Sequence, residues 1–238
     1  MIPPLLVADL GRRRYGEVLV LQRELVRRRL SERSQPDMLL LVEHEPVVTL
    51  GRGTRASSLP VSPAALERRG LEVFEVERGG DVTWHGPGQL VGYPILDLEA
   101  QRADLHWYLR RLESAVVNAL ARLGVAAGAR EGLTGVWTGE RKIASIGIHV
   151  RRWVTYHGFA LNVITDPAAF DSIVPCGLHG VEMTSVVREL GGASDPVALW
   201  NQTRDAVTEA LGRTFSRAPV PAVFAPPAGI EPGRALAC

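Results

Sequence analysis

The chain has 238 residues, 46% of them hydrophobic and 22% charged, with a formal net charge of +1. Those proportions suit a soluble globular protein with a full core, and the near-neutral balance excludes the basic surplus of a nucleic-acid binder. Two cysteines, Cys176 and Cys238, make no disulfide framework, and no apolar run is long enough to span a bilayer.

The N-terminal apolar run is short, is broken by Pro3 and Pro4, and precedes its arginines, Arg12 to Arg14. A signal peptide has the reverse order. A reducing cytosol suits the cysteine usage, so a cytoplasmic protein is expected.

In chain order, residues 5–8 suggest a short strand, and residues 14–30 a helix with Tyr15, Val18, Leu21 and Leu25 on one side. Its arginines, including Arg23, Arg27, Arg28 and Arg29, read as a solvated face more readily than as a docking surface for an acidic partner. Met38 to Val42 reads as a buried strand and Pro46 to Leu50 as a second, closed by Gly51-Arg52-Gly53. Gly51, Gly53 and Ala56 spell a dinucleotide fingerprint by letters alone. No amphipathic helix follows, so a turn is expected.

Ser62 to Arg69 predicts a short helix with Ser62 as N-cap, Pro63 at its first position and Gly70 at its stop. Leu71 to Val76 is strand-like, 78–89 is a glycine-rich loop, and Leu90 to Leu96 is a strand. Leu105, Leu109, Leu112, Val116, Leu120 and Leu123 alternate spacings of three and four, the clearest helix in the chain. Val136 to Thr138, Ile143 to Val150 and part of Trp153 to Ile164 follow as strands. Asp195-Pro196 caps a last helix to about Leu211, with Trp200, Val207 and Leu211 inward. Without a regular βαβ alternation, the expected class is α+β, mixed β-sheets flanked by helices. Residues 1–215 read as one domain. Residues 216–238 hold five of the sixteen prolines and read as an extended or loosely attached tail.

The chemistry centres on Ile173-Val174-Pro175-Cys176-Gly177-Leu178. Pro175 pushes Val174 toward extended geometry, and Gly177 frees the backbone after the sulfur. A cysteine in such a turn suits covalent acyl transfer, although a small buried hydrophobe is the plainer account of a lone cysteine. Lys142 opens an apolar strand. Beside a thiol, an ammonium favours the thiolate, and a neutral amine accepts a proton. Sequence alone does not put Lys142 beside Cys176.

The loop Arg78-Gly79-Gly80-Asp81-Val82-Thr83-Trp84-His85 reads either as a hairpin loop or as a polar cradle for an acyl carbonyl or carrier arm. Ser145-Ile146-Gly147 and Gly158-Phe159-Ala160 put small residues in apolar strands, where backbone can approach a ligand closely. Ile146 and Phe159 suit a slot for an aliphatic chain or, equally, a core. The six histidines form no metal-binding motif, so no metal is expected.

Together these segments resemble the lipoyl(octanoyl) transferase family. The resemblance runs through 78–89, Tyr93-Pro94, Gly135-Val136-Trp137, 142–147, 157–162, 173–177 and Thr184-Ser185, covering roughly 5–213. Ser145 stands where alanine is common in the family. The resemblance implies a fold like the catalytic modules of biotin and lipoate protein ligases. It implies an octanoyl thioester on the phosphopantetheine arm of acyl carrier protein as donor. The implied acceptor is a lysine on lipoyl domains of 2-oxo acid dehydrogenase complexes or on the glycine-cleavage H protein. It assigns Cys176 as nucleophile and Lys142 as its activating partner. Arg78 to His85, Ser145 to Gly147 and Gly158 to Ala160 become substrate contacts. A thioester donor is already activated, so no cofactor is expected. The alternatives are an ATP-dependent lipoate or biotin ligase, a catalytically idle acyl-binding module, and a cysteine hydrolase.

Overall fold

The run Met38 to Val42 is apolar at every position because its strand is covered on both faces. The structure, a computed structural model, describes residues 2–174 and 180–224. In chain order the elements are β1 (Pro4–Arg13), α1 (Tyr15–Ser31), β2 (Asp37–His44), β3 (Val47–Leu50), α2 (Pro63–Arg68), β4 (Glu72–Glu75), β5 (Thr83–His85) and β6 (Gln89–Ile95). Then come α3 (Leu105–Arg122), β7 (Gly128–Arg130), β8 (Leu133–Thr138), β9 (Arg141–Arg151), β10 (Val154–Asn162), α4 (Val186–Glu189), α5 (Pro196–Thr214) and β11 (Ala218–Pro221).

Among the described residues, eight strands form a mixed sheet in the order β11-β1-β2-β6-β10-β9-β8-β7. A smaller sheet has the order β4-β3-β5. Strand alternation sorts β2 between two cores. Leu39 and Leu41 face α3 and α5, packing near Leu112, Val116, Leu120 and Val207. Met38, Leu40 and Val42 face α1, packing with Val18, Leu21 and Leu25. Full burial of each such side chain contributes roughly 1.5–3 kcal/mol. The expected α+β class with mixed sheets and flanking helices is what forms.

Helix starts follow the expected caps. The Asp195 carboxylate accepts from the N–H groups of Val197 and Ala198, and Ser62 Oγ from that of Ala65. On α3 the apolar stripe is shifted at its start. Leu105 is exposed, and Tyr108 is buried in its place. Residues 83–85, expected as loop, form a strand. The start of the expected tail also joins the sheet: Ala218–Pro221 pairs in parallel with Pro4–Val7.

The arginines of α1 are largely committed to ion pairs. Arg23 binds Glu77 through two nitrogens, Arg28 pairs with Glu24, and Arg29 is buried against Asp37 and Asp97. Arg29 therefore corrects the expectation of a uniformly solvated face. Among the described residues, no helix is long and apolar enough to cross a membrane.

Candidate active site

Gly51-Arg52-Gly53 is a packing turn. The N–H groups of Arg52 and Gly53 donate to the carbonyls of Arg78 and Gly80 at 3.0 and 2.9 Å. A side chain at Gly51 would sit 2.4 Å from the Gly80 oxygen. Those amides are spent on the 78–81 loop, as the absence of a following helix suggested.

That loop is clamped from inside. Arg78 donates to the Thr49 carbonyl at 2.7 Å and to the Thr49 hydroxyl at 2.9 and 3.2 Å. Asp81 accepts from the Val82 N–H at 2.7 Å and from the Ser58 hydroxyl at 2.5 Å. The Ser58 carbonyl accepts from the N–H of Val174, two residues before Cys176. Loop 78–85 is thus tied to the approach to the cysteine.

A cavity of about 200 Å³ lies between this loop, with β5, and the β6, β9 and β10 face of the large sheet. For scale, an apolar cavity of about 150 Å³ takes a benzene ring. From the residues singled out in the sequence, Arg78, Gly80, Asp81, Thr83, His85, Lys142, Ser145, Ile146, Gly147, Gly158, Phe159 and Ala160 line it. Three others do not. Gly79 abuts the wall, its N–H donating to the Ile148 carbonyl at 2.8 Å. Val82 and Trp84 point away into a satellite core, where Trp84 meets Phe170 edge-on. The period of two in β5 explains this: Thr83 and His85 face the cavity, while Val82 and Trp84 face the other side.

Lys142 is buried in the wall. Its Nζ lies 5.4 Å from the centre of the Trp137 ring, a cation–π contact. Gly135, with φ +128°, makes room for it: a side chain there would meet Lys142 Cε at 2.6 Å. The Lys142 N–H donates to the Glu182 carbonyl at 2.8 Å, and its carbonyl accepts from the Thr184 N–H at 3.0 Å. Lys142 is thereby zipped to the segment just downstream of Cys176. Cys176 itself, with Pro175 and Gly177, lies outside the described residues.

Sequence reasoning left several cavity residues off the substrate contacts. Tyr15, from the start of α1, and Val91, Tyr93 and His157 all line the cavity. Tyr15 carried only a helix-core signal. Tyr93 and His157 sat in the segments that carry the resemblance, which was the available hint. His157 is held at φ +54°, a strained backbone for a non-glycine residue, and its N–H donates to Gln22 Oε1 at 2.9 Å. Among the described residues, neither of its ring nitrogens has a hydrogen-bond partner.

The buried imidazoles are neutral. Burial lowers His44 to about 4. Burial, aided by His44 and by Arg78, lowers His85 to about 3. His157 is lowered to about 3, chiefly by burial, with Glu77 opposing. Burial also raises Tyr15 and Tyr93 above the ordinary phenol range.

Residues 14–216 match the model of the lipoyl protein ligase A/B catalytic domain. The octanoyltransferase of Gloeobacter violaceus is 48% identical over 212 residues, spanning 89% of this chain and 90% of that protein. The octanoyltransferase of Solibacter usitatus is 53% identical over 170 residues, 71% of this chain and 77% of that one. The chain belongs to this family, in its octanoyltransferase branch. It is an acyltransferase, as the resemblance implied. Solved lipoate ligases share the fold. The bipartite lipoate protein ligase of Thermoplasma acidophilum superposes with a TM-score of 0.70 at 18% identity, over 92% of this chain and 88% of that one. Lipoate-protein ligase A bound with ATP gives 0.70 at 20% identity, over 92% and 90%.

Proposed function

We propose that the protein transfers an octanoyl group from the phosphopantetheine arm of acyl carrier protein to a lysine of lipoyl domains, through an acyl thioester on Cys176. The acceptors are 2-oxo acid dehydrogenase complexes and the glycine-cleavage H protein, and the site of action is the cytoplasm. The observation that carries the reading is Lys142, buried in the wall of the cavity and hydrogen-bonded through its backbone to the segment that follows Cys176. Kinship with octanoyltransferases supports the acyl group and the reaction class.

In the first half-reaction the Cys176 thiolate attacks the donor carbonyl. A new C–S bond forms, the bond to the pantetheine sulfur breaks, and that sulfur leaves as a thiol after taking a proton. One thioester replaces another, so the step is close to balanced. In the second, a neutral lysine amine attacks the same carbonyl, and the Cys176 sulfur leaves. The amine gives up one proton, for which Lys142 or a water is the acceptor. No nucleotide or metal is needed, because the donor arrives activated.

Purified protein, octanoyl-carrier protein and a lipoyl domain suffice for the test. Transfer proceeds without ATP and is lost in Cys176→Ala. Strict ATP dependence, or undiminished transfer by Cys176→Ala, contradicts the proposal.

A further inference from the structure

Five buried side chains, in two relays that end at the cavity, have their hydrogen-bond polarity dictated from outside it. The Thr184 carbonyl can only accept, so the group of Asn162 facing it at 2.9 Å is the amide NH₂. Asn162 Oδ1 then faces Gln89 and accepts from its NH₂ at 2.9 Å. Gln89 Oε1, at 2.7 Å from His85 Nδ1, must in turn receive an N–H. One backbone carbonyl thus imposes the Nδ1–H form on His85, three residues away along the chain of bonds, and leaves Nε2 as a lone pair. Among the described residues, no other side chain hydrogen-bonds to that nitrogen, and His85 lines the cavity.

A second relay has the same sense. The Arg13 carbonyl accepts from His44 Nδ1 at 3.1 Å, so His44 Nε2 accepts the Tyr93 O–H at 2.7 Å. The Tyr93 proton is spent there, and its oxygen keeps only lone pairs for the cavity it also lines. The rings of His44 and His85 are 6.0 Å apart, so the two relays end close together.

We infer that the cavity carries a preorganised acceptor pair, His85 Nε2 and Tyr93 Oη, which, among acyl chains carrying a polar group where they meet that wall, favours a hydrogen-bond donor, a hydroxyl or thiol. It discriminates against chains bearing a ketone or other acceptor-only group there. Gln89 and Asn162 are positioning residues that act through His85. A buried acceptor facing another acceptor is costly, whereas one facing an O–H or S–H is satisfied. Burial and the positive charge of Arg78 keep His85 neutral, so it holds this role through the physiological range. The acyl class rests on the proposed octanoyl transfer. The polarity of the wall does not.

Two measurements test it. Imidazole ¹⁵N spectra of the intact protein near pH 7 should show His85 as a single neutral tautomer protonated on Nδ1. Gln89→Glu keeps the acceptor oxygen and the tautomer, while Gln89→Leu releases it. An Nε2–H tautomer in the wild type, or no difference between the two variants, overturns the assignment. Octanoyl thioesters carrying one hydroxyl or one ketone in the distal half of the chain supply the second measurement. For at least one carbon, kcat/KM should favour the hydroxyl by about tenfold. That preference should vanish in His85→Phe with Tyr93→Phe. Equal use of both series, or preference for the ketone, overturns the selectivity. If the wild type transfers no octanoyl group at all, the acyl class falls with the proposed reaction, while the spectra still decide the polarity.

Discussion

Lys142→Met lowers octanoyl transfer by about 10³-fold and moves the pH midpoint of Cys176 alkylation upward by about one unit or more. The lysine is buried, its ammonium is held over Trp137, and its backbone is bonded to the segment after the cysteine. On the proposed mechanism, removing a cation from such a place leaves the Cys176 thiolate without its stabilising charge. Methionine keeps most of the volume, so the space cleared by Gly135 stays filled. Lys142→Arg separates charge from proton acceptance. It should retain most of the alkylation shift, yet transfer poorly, because a guanidinium accepts no proton. Alkylation rates of both variants against pH, with circular dichroism as a check of folding, decide the matter. An unchanged alkylation curve in Lys142→Met, with transfer lost, removes thiol activation as the main role.

The second large effect is on stability. Unfolding becomes easier by about 4 kcal/mol between pH 7.5 and 5.5. His44, His85 and His157 are buried, with folded-state values of about 4, 3 and 3, against about 6.5 when unfolded. Between those values the unfolded chain binds protons that the native one refuses. Stability is therefore complete above pH 6.5 and is lost as the pH falls below it. Carboxylates act lower: Glu77 and Glu189 are held at about 2, so their contributions fade only below about 4.5. Urea unfolding at the two pH values measures the difference. A flat profile from 7.5 to 5.5 contradicts neutral burial of the three rings. A His157→Asn variant should lose about one third of the slope.

Much of the architecture was legible because period and caps are local. The stripe of α3, the Asp195 cap of α5 and the apolar run of β2 each announce themselves within a dozen residues. What stayed hidden depends on partners far along the chain. β5 is three residues long inside a glycine-rich loop, and only its pairing with β3 makes it a strand. Without that strand the alternation separating Thr83 and His85 from Val82 and Trp84 could not be applied. β11 is likewise made by pairing with β1. Arg29 looked like its exposed neighbours until Asp37 and Asp97 came to face it.

The site divides the same way. The loop of Arg78, the glycines of β9 and β10 and the phenyl ring of Phe159 were readable as places of close approach. Tyr15 and Tyr93 were not, since an aromatic residue in a helix stripe or a buried strand has the same pattern whether or not a cavity opens beside it. The tautomer of His85 lies further still from the sequence. It depends on a carbonyl at Thr184, reached through Gln89 and Asn162.

The most direct test weighs the intact protein. After mixing with octanoyl-carrier protein in the absence of ATP, the mass should rise by one octanoyl group, mapped by peptide analysis to Cys176. It should return to the starting value when a lipoyl domain is added, with the same group appearing on that domain's lysine. No octanoyl mass on Cys176, or a mass that a lipoyl domain does not remove, would contradict the covalent mechanism.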